Sequence, residues 1–357
     1  MKFGSIFENG KSHVIIKIDE KYACKLSEME QLINFTPSKD MLDLIAYIEK
    51  DKRLLLEFQK NLNNVKKIRI QNFNWLPPIQ RPSKIIGVAF NNKELMKKAH
   101  KDPGVPNFFL KPPSALQGHN KPIIVDPKWG AVIPEPEICA VISKKAKHIS
   151  PKEALNYVFG FLIHNDVTSH GLKFQKDSIA VTYDSDLARP EFYTWRNLNG
   201  PDDTDAFYVY HTRSKGTDTF GPMGPWITTS DEIQNPNALS VTGSLNEECF
   251  TIDHTSNYRF SIEECISEAS SYFTLEPGDI ISFGTTGKGT GKFPRGHKSL
   301  LIGENTGTIN ISIENINAED LLNIVNSNFK IENSNFNNST SDLVDIDNSI
   351  GEIINSK

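Results

Sequence analysis

The sequence contains few cysteines, and their arrangement argues against two kinds of structure. Its 357 residues include only Cys24, Cys139, Cys249 and Cys265, and no two of these form a CxxC pair. A disulfide framework or a structural zinc site requires paired or regularly spaced thiols. We therefore predict free thiols and a cytoplasmic location, where thiols stay reduced.

Long apolar runs and basic blocks are also missing. No run approaches the roughly 18 apolar residues of a membrane-spanning helix, and the start, "MKFGSIFENGKSHVIIKIDE", carries charges throughout, unlike a signal peptide. The net charge is −5 and the basic residues are dispersed, so we expect neither nucleic acid nor a membrane as a partner. With 38% hydrophobic and 23% charged residues, the chain is typical of one large or two modest folded domains.

The N-terminal part shows local signals for a small α/β subdomain, residues 1–75. "FGSIFENGKSHVIIKI" alternates around Asn9-Gly10 and predicts a β-hairpin. Residues 37–64 predict a helix with Ser38 as its N-cap. The proline-rich "WLPPIQRP" that follows predicts a linker to the main domain.

The main domain, residues 80–325, is rich in predicted strands. These strands are "KIIGVAF", "KPIIVDP", "ICAVISK", "NYVFGFLIHNDV", "DIISFGT" and "TINISIENI". Helices are predicted in only two segments, "SPKEALNYV" and "SIEECISEASSYF". The pattern therefore indicates a β-rich α+β domain. Residues 326–357 are rich in Asn, Ser and Asp and predict a loose C-terminal extension.

A proline-spaced acidic pair, Glu135 and Glu137 in "PEPEICAVI", leads directly into an apolar strand. Alternate residues of a strand point to the same side, so both carboxylates face one place. Two like charges at such a short distance repel each other, and removing them from water is costly. A divalent cation between them offsets both effects. The alternative is a solvated strand edge, where charged residues are common.

Further polar groups stand at the ends of other segments. Asp166 follows the apolar strand of "GFLIHNDVTSH" and suits a third oxygen ligand, the alternative being a turn residue. Lys215 precedes a rigid Gly-Pro segment, where an ammonium can stabilise an anion or a developing enolate unless it is simply solvent-exposed. The Gly-rich loop after "DIISF" offers N–H groups and the hydroxyls of Thr285 and Thr286 to an anion, although it lacks P-loop spacing.

These segments resemble the fumarylacetoacetate hydrolase family over most of residues 80–310. Five stand in the family's order: "IIGVAFN", "FFLKPPSAL", "PEPEICAVISKKAKHISPKEALNYVFGFLIHNDVT", "KGTDTFGPMGPWITT" and "TLEPGDIISFGTT". The resemblance implies an α+β fold with a mixed β-roll or β-sandwich catalytic domain, usually in a homodimer. It also implies a small-molecule carboxylate as the substrate, because relatives act on β-dicarbonyl or 2-oxo acids.

The resemblance also assigns roles to individual residues. It implies that Glu135, Glu137 and Asp166 bind a divalent metal, usually Mg²⁺, with Mn²⁺ or Ca²⁺ as alternatives because all three accept oxygen ligands. The family's active-site lysine falls on Lys215.

The implied substrate-binding residues lie on two loops. The family loop whose threonine touches the substrate carboxylate falls on Gly284, Thr285 and Thr286. Asn91, which ends the "GVAFN" segment, is a further expected substrate contact.

The chain departs from the family at the catalytic dyad. Relatives usually carry a His and a Glu on a lid helix after "GVAFN", whereas here Leu95 and Lys98 stand at those positions. Neither is a general base at neutral pH. His100 is nearby, but on a helix it would lie on another face, so it replaces the missing His only if the lid is not helical; otherwise it is an exposed surface residue.

Two more departures follow Asp166. Where relatives carry an arginine this chain has His170, which either keeps a polar or proton-transfer role near the metal or packs beside the strand end. An aromatic-rich insertion, residues 175–210, is a lid, an interface arm or a loop with its own small core. His211, at the end of this insertion region, is one candidate for the missing catalytic groups.

Two hypotheses of function follow. The first is a divalent-metal-dependent enzyme acting on a small 2-oxo or β-diketo acid by C–C bond hydrolysis, decarboxylation or enol–keto isomerisation. Loss of the dyad favours the last two, which need less water activation. The second is a relative with an altered biosynthetic reaction or a binding-only role. Retention of the three acids and Lys215 favours the first, because a binding protein has no chemical need for that lysine.

Overall fold

The computed structural model describes residues 1–97, 99, 102–182, 205–245 and 248–288, and short strands between residues 307 and 354. The α-helices are α1 (Leu26–Leu32), α2 (Met41–Lys50), α3 (Arg53–Asn61), α4 (Lys93–Met96), α5 (His170–Gln175), α6 (Thr212–Gly216) and α7 (Ile262–Tyr272). The strands up to residue 182 are β1 (Lys2–Glu8), β2 (Lys11–Lys17), β3 (Tyr22–Lys25), β4 (Ile68–Arg69), β5 (Trp75–Leu76), β6 (Ile85–Ala89), β7 (Asn107–Lys111), β8 (Leu116–Gln117), β9 (Val132–Ile133), β10 (Pro136–Ile142), β11 (Val158–Asn165), β12 (Thr168–Ser169) and β13 (Ser178–Thr182). The later strands are β14 (Asp205–Val209), β15 (Gly221–Pro222), β16 (Ile227–Thr229), β17 (Ser240–Leu245), β18 (Glu248–His254), β19 (Ile280–Ser282), β20 (Gly307–Ile309), β21 (Ser312–Ile313), β22 (Leu322–Val325), β23 (Asn328–Glu332), β24 (Asn335–Phe336), β25 (Val344–Asp347) and β26 (Ile350–Ile354).

A mixed sheet of 11 strands forms the centre of the protein, as the α+β prediction requires. Its order is β4-β3-β2-β1-β16-β11-β10-β19-β6-β7, and β5 pairs with β1. Neighbours are antiparallel except β19 and β6, which run parallel. The sheet therefore continues without a break from the N-terminal hairpin into the strands of the main domain, and the boundary near residues 75–80 stays a prediction.

Strand β10 shows how the sheet divides the core. Cys139 and Val141 pack in a cluster with the N-terminal helices α2 and α3. Ala140 and Ile142 point to the opposite face and pack in a second cluster with α7. Both faces of β10 are covered, which explains why its sequence is a continuous apolar run rather than an alternating one.

The N-terminal hairpin is confirmed, and the helix after it is corrected. Asn9 and Gly10 have φ values of 51° and 79°, as the tight turn between β1 and β2 requires. The predicted single helix over residues 37–64 is two helices, α2 and α3. Asp40 caps α2 by accepting from two backbone N–H groups, while Ser38 donates to Glu30 instead. Asp40 is closer to the first helical residue and its carboxylate reaches both N–H groups.

The two helices predicted for the main domain have different outcomes. Ser261 caps α7 in a capping box with Glu264, so that prediction is confirmed. "SPKEALNYV" forms turns and a 3-10 helix at Ala154–Tyr157 rather than an α-helix, because β11 begins at Val158 and leaves too few residues. "KPIIVDP" forms no strand, since proline stands at both ends of its short apolar run.

The remaining regions are only partly described. β13 and β14 pair antiparallel, and residues 183–204 of the predicted insertion between them lie outside the described residues. Short parallel strand pairs form after residue 307. The division at residue 325 and the loose extension stay predictions. Among the described residues, no helix combines the length and the apolarity that a membrane span requires.

Candidate active site

The three predicted acids converge at one end of the central sheet. β10 begins where β11 ends, with Glu137 opposite His164 in the register. Asp166 N–H donates to the Glu135 carbonyl (2.9 Å), and Glu135 N–H donates to Asn165 Oδ1 (2.9 Å), so the chain before β10 is tied to the chain after β11. One carboxylate oxygen from each of Glu135, Glu137 and Asp166 lies within 4.8 Å of the others.

Two buried lysines compensate these carboxylates. Lys215, from α6, donates to Glu135 Oε2 (2.6 Å), to Asp166 Oδ2 and to Thr168 Oγ1 (2.7 Å). Lys111, the last residue of β7, donates to Asp166 Oδ1 (2.5 Å). Asp166 is fully buried and Lys111 is 2% exposed, so their charges are shielded from water and must balance within the site.

Glu137 contacts a different set of groups. Ser282, at the end of β19, donates to Glu137 Oε2, and the N–H of Gly284 lies 3.3 Å from the same oxygen. Ser282 Oγ also lies 2.9 Å from His164 Nδ1 and accepts from Cys139 Sγ at 3.0 Å. Among the described residues, no ammonium group donates a hydrogen bond to Glu137, and neutral groups hold its carboxylate.

This difference separates the pKa values of the carboxyls. Burial, reinforced by the charge of Asp166, raises the pKa of Glu137 to about 8. Burial also acts to raise the pKa of Asp166, but the ammonium groups of Lys111 and Lys215 outweigh it and hold that pKa below its usual range. Burial acts to raise the pKa of Glu135 as well, but the ammonium group of Lys215 outweighs it and lowers that pKa.

The lysines respond to the same environment. Burial acts to lower the pKa of Lys215, but Asp166 and Glu135 outweigh it and raise that pKa above its usual value. Burial lowers the pKa of Lys111, an effect that Asp166 opposes. Lys215 therefore stays protonated at the centre of the site. Its ammonium nitrogen also lies 5.0 Å from the centroid of the Phe109 ring.

These groups form the floor of a cavity of about 160 Å³. Its lining includes the three acids and Lys215, an apolar wall and several polar side chains. The apolar wall consists of Val88, Ala89, Phe90, Leu95 and Phe109, and the further polar lining consists of His170, Lys173, His211 and Thr285. The volume admits a small molecule of a few heavy atoms beside the acids.

The predicted substrate-binding residues take different positions. Thr285 lines the cavity, and Gly284 (φ 96°) turns the chain so that its N–H reaches Glu137. The hydroxyl of Thr286 accepts from Thr251 (2.9 Å). Asn91 is 2% exposed and braces loops by bonding to Phe260, Cys265 and Phe283 rather than lining the cavity. The placement supports a substrate contact for Thr285, not for Asn91.

The predicted catalytic histidines also differ in their positions. His170 lines the cavity from the first turn of α5, and its imidazole lies 5.9 Å from the Phe174 ring. His100 lies outside the described residues. Leu95 lines the cavity from α4, so the position at which the family resemblance led us to expect a histidine presents an apolar side chain to the site.

Sequence reasoning missed three residues of this site. Lys111 lies inside the quoted segment "FFLKPPSAL", and its position at a strand end was an available signal. Ser282 and His164 gave no signal, because the contacts of Ser282 with Glu137 and with His164 depend on β10 lying between β11 and β19.

The donor set fits a divalent cation. Three carboxylate oxygens within 4.8 Å match the hard oxygen ligands that Mg²⁺ and Mn²⁺ accept. Lys111 donates to Asp166 (2.5 Å) and Lys215 donates to Glu135 (2.6 Å), and these hydrogen bonds hold the two carboxylates in place. A metal held here would have Glu135, Glu137 and Asp166 as its protein ligands.

Comparisons with known proteins agree with the segments recognised in the sequence. Residues 84–319 match the model of the fumarylacetoacetate (FAA) hydrolase C-terminal domain. The maleylpyruvate hydrolase of Aquipseudomonas alcaligenes is 26% identical over 276 residues, which cover 74% of this chain and 83% of that protein. The oxaloacetate tautomerase of Rattus norvegicus is 30% identical over 220 residues, 61% of this chain and 60% of that protein.

A solved structure shows the same fold. The maleylpyruvate hydrolase of Sphingobium sp. SYK-6, in complex with manganese(II) and pyruvate, superposes with a TM-score of 0.60 at 23% sequence identity. The match covers 84% of this chain and 91% of that one. Because the domain match spans well over half of the residues and includes the whole acidic site, this chain belongs to the fumarylacetoacetate hydrolase family.

Proposed function

We propose that the protein is a divalent-metal-dependent enzyme acting on a small 2-oxo or β-diketo acid. The observation that carries the proposal is the meeting of three carboxylates and Lys215 at the floor of a small cavity. Family members hydrolyse or tautomerise small keto acids, as the two relatives above do. We infer Mg²⁺ or Mn²⁺ as the metal, and manganese and pyruvate in the structural neighbour support both parts of the proposal.

The residues of the site suit chemistry that creates negative charge on a carbonyl oxygen. A divalent cation bound by the acids supplies a Lewis acid for a 2-oxo acid. Lys215 keeps its proton because its pKa is raised, so it stabilises an enolate as a fixed charge. Lys111 fixes the Asp166 carboxylate from the opposite side (2.5 Å). The apolar wall around Phe109 limits water and strengthens both electrostatic interactions.

The cavity wall disfavours one of the three candidate reactions. Hydrolysis needs a base that activates water, and Leu95 presents an apolar side chain where relatives carry that base. Enol–keto tautomerisation and decarboxylation need an enolate and a proton transfer but no attacking water. We therefore rank tautomerisation and decarboxylation above C–C bond hydrolysis. The homodimer and the cytoplasmic location remain predictions beside this proposal.

Turnover measurements test the proposal. The full chain, freed of metal with EDTA, would be assayed with oxaloacetate, maleylpyruvate and simple acylpyruvates, before and after addition of Mg²⁺ or Mn²⁺. Loss of the enol absorbance reports tautomerisation, and pyruvate release reports the two cleavage reactions. We expect metal-dependent loss of the enol signal from oxaloacetate.

Two variants serve as matched controls. Glu137→Gln keeps the volume and the bond from Ser282 but removes a charged ligand, so we expect a folded protein without metal-dependent turnover. Thr286→Ser alters the loop after β19, away from the cavity lining, and should retain activity. Metal binding without turnover of any of these keto acids would refute the proposal and favour the binding-only alternative, to which the Leu95 replacement already gives some support.

A further inference from the structure

Two histidines line the cavity within the described part of the chain, and they differ in their surroundings. His170 belongs to α5 and contacts Phe174 of the same helix. His211 comes directly before α6, the helix that carries Lys215. Its carbonyl accepts from Lys215 N–H (3.2 Å), so the imidazole and the ammonium belong to one helical turn.

The backbone holds His211 in an unfavourable conformation. Its φ is 56°, in the left-handed region that non-glycine residues rarely adopt. Such conformations cost free energy, and they cluster where a side chain must be aimed at a functional site. The ring packs against Phe109 with 5.8 Å between ring centroids, which fixes its orientation at the cavity wall.

The imidazole is also unsatisfied. Nδ1 of His211 is buried and has no hydrogen-bond partner among the described residues. Burial, reinforced by the charges of Lys215 and Lys173, lowers the pKa of His211 to about 4, while Asp166 and Glu135 oppose this effect. The ring is therefore neutral at pH 7 and has a lone pair that can accept a proton.

We propose that His211 is the proton-transfer residue of this enzyme, replacing the histidine that the lid helix lacks. The proposal rests on the proposed function. In tautomerisation, the imidazole removes a proton from the carbon next to the 2-oxo group of the substrate. The C–H electron pair forms the new C=C bond, and the carbonyl π electrons become the charge on the enolate oxygen. The imidazolium then returns the proton to that oxygen, giving the enol; the reverse sequence gives the keto form.

The chain offers a matched control for this test. His148 also has a positive φ, 53°, but it is exposed and lies outside the cavity. Asparagine tolerates the left-handed conformation, so His211→Asn and His148→Asn make the same chemical change in the same backbone geometry. The tautomerisation of oxaloacetate, the unfolding temperature and the calorimetric affinity for oxalate in the presence of Mn²⁺ would be measured for both.

We expect His211→Asn to lower kcat by about 100-fold or more, the usual contribution of a general acid–base group. Its oxalate affinity should stay within about threefold of the wild type, because proton transfer is not part of binding. Its unfolding temperature should not fall, since asparagine suits the backbone. His148→Asn should match the wild type in all three measurements. In His211→Gly, added imidazole should restore part of the lost rate.

The outcomes separate this inference from the proposed function. Wild-type turnover together with a fully active His211→Asn variant would overturn the role of His211 alone. Equal losses of oxalate affinity and of kcat, without rescue by imidazole, would assign His211 to binding and would also overturn proton transfer. Absence of turnover in the wild type would overturn the proposed function, and with it the role of His211.

Discussion

Replacement of Lys215 by methionine should destabilise the metal-free protein strongly. Lys215 is 7% exposed and bonds to Glu135, Asp166 and Thr168. Methionine fills similar volume but leaves two buried carboxylates with less compensation. Removing one partner of a buried ion pair costs ~3–5 kcal/mol. Because Lys111 still contacts Asp166, we expect the lower end of that range.

Urea unfolding in EDTA and in Mn²⁺ would measure this effect. A bound cation compensates the same carboxylates and adds ~2.7 kcal/mol at a hundredfold excess over Kd. Because the variant lacks the ammonium that repels the cation, it should bind Mn²⁺ more tightly than the wild type and gain more stability from it. The deficit of Lys215→Met should therefore shrink in Mn²⁺, whereas turnover should stay low in both conditions. Lys173→Met is the control: Lys173 is half-buried, its ammonium lies 5.3 Å from the Phe174 ring, and its loss should cost less than ~1 kcal/mol. If Lys215→Met in EDTA were as stable as Lys173→Met, the buried charge balance described here would be wrong.

Three further predictions concern the metal ligand, the loop and a helix cap. Because the pKa of Glu137 is raised from 4.5 to about 8, its carboxyl is protonated in the metal-free protein at pH 7. The stability that this protonated carboxyl contributes is fully present below pH 4.5 and is lost as the pH rises through 8. Because Mn²⁺ must displace the proton, the apparent Kd for Mn²⁺ should fall about tenfold per pH unit from pH 6 to 8, which calorimetry would measure. A Cβ at Gly284 would lie 3.0 Å from the Val88 carbonyl, so Gly284→Ala should lower metal affinity and cost more than Gly10→Ala, where nothing lies within 4 Å; equal losses in urea unfolding would contradict this. Ser261→Ala should cost ~1 kcal/mol without changing turnover, and an altered kcat would show that α7 is coupled to the site.

Local patterns in the sequence predicted the features that depend on residues close together in the chain. The Asn9-Gly10 turn specifies its own hairpin, and Ser261 and Glu264 specify the start of α7. Strand alternation also placed Glu135 and Glu137 on one side. The position of Asp166 at the end of an apolar strand made it a candidate third ligand, and the family resemblance then assigned all three acids to one metal site. No local rule pairs residues that far apart.

The other features depend on tertiary packing. Ser282 reaches Glu137 only because β19 pairs with β10, and the sequence contains no local signal for that pairing. The helix expected at "SPKEALNYV" competes with the strand that begins at Val158, and the strand's place in the central sheet decides the outcome. Ser38 was a reasonable cap by residue type, but Glu30 of α1 captures its hydroxyl.

The charges of the site explain how buried acids can remain stable before a metal binds. With Glu137 protonated, the carboxylates of Glu135 and Asp166 are balanced by the ammonium groups of Lys111 and Lys215, so the floor of the cavity is neutral. A divalent cation that displaced the Glu137 proton would leave one positive charge. The carboxylate of a 2-oxo acid cancels that charge, and a neutral ligand such as an amide would not. Under the proposed function, this charge balance would favour an anionic substrate before any contact with its side chain, and we expect competitive inhibition by oxalate but not by its neutral diamide.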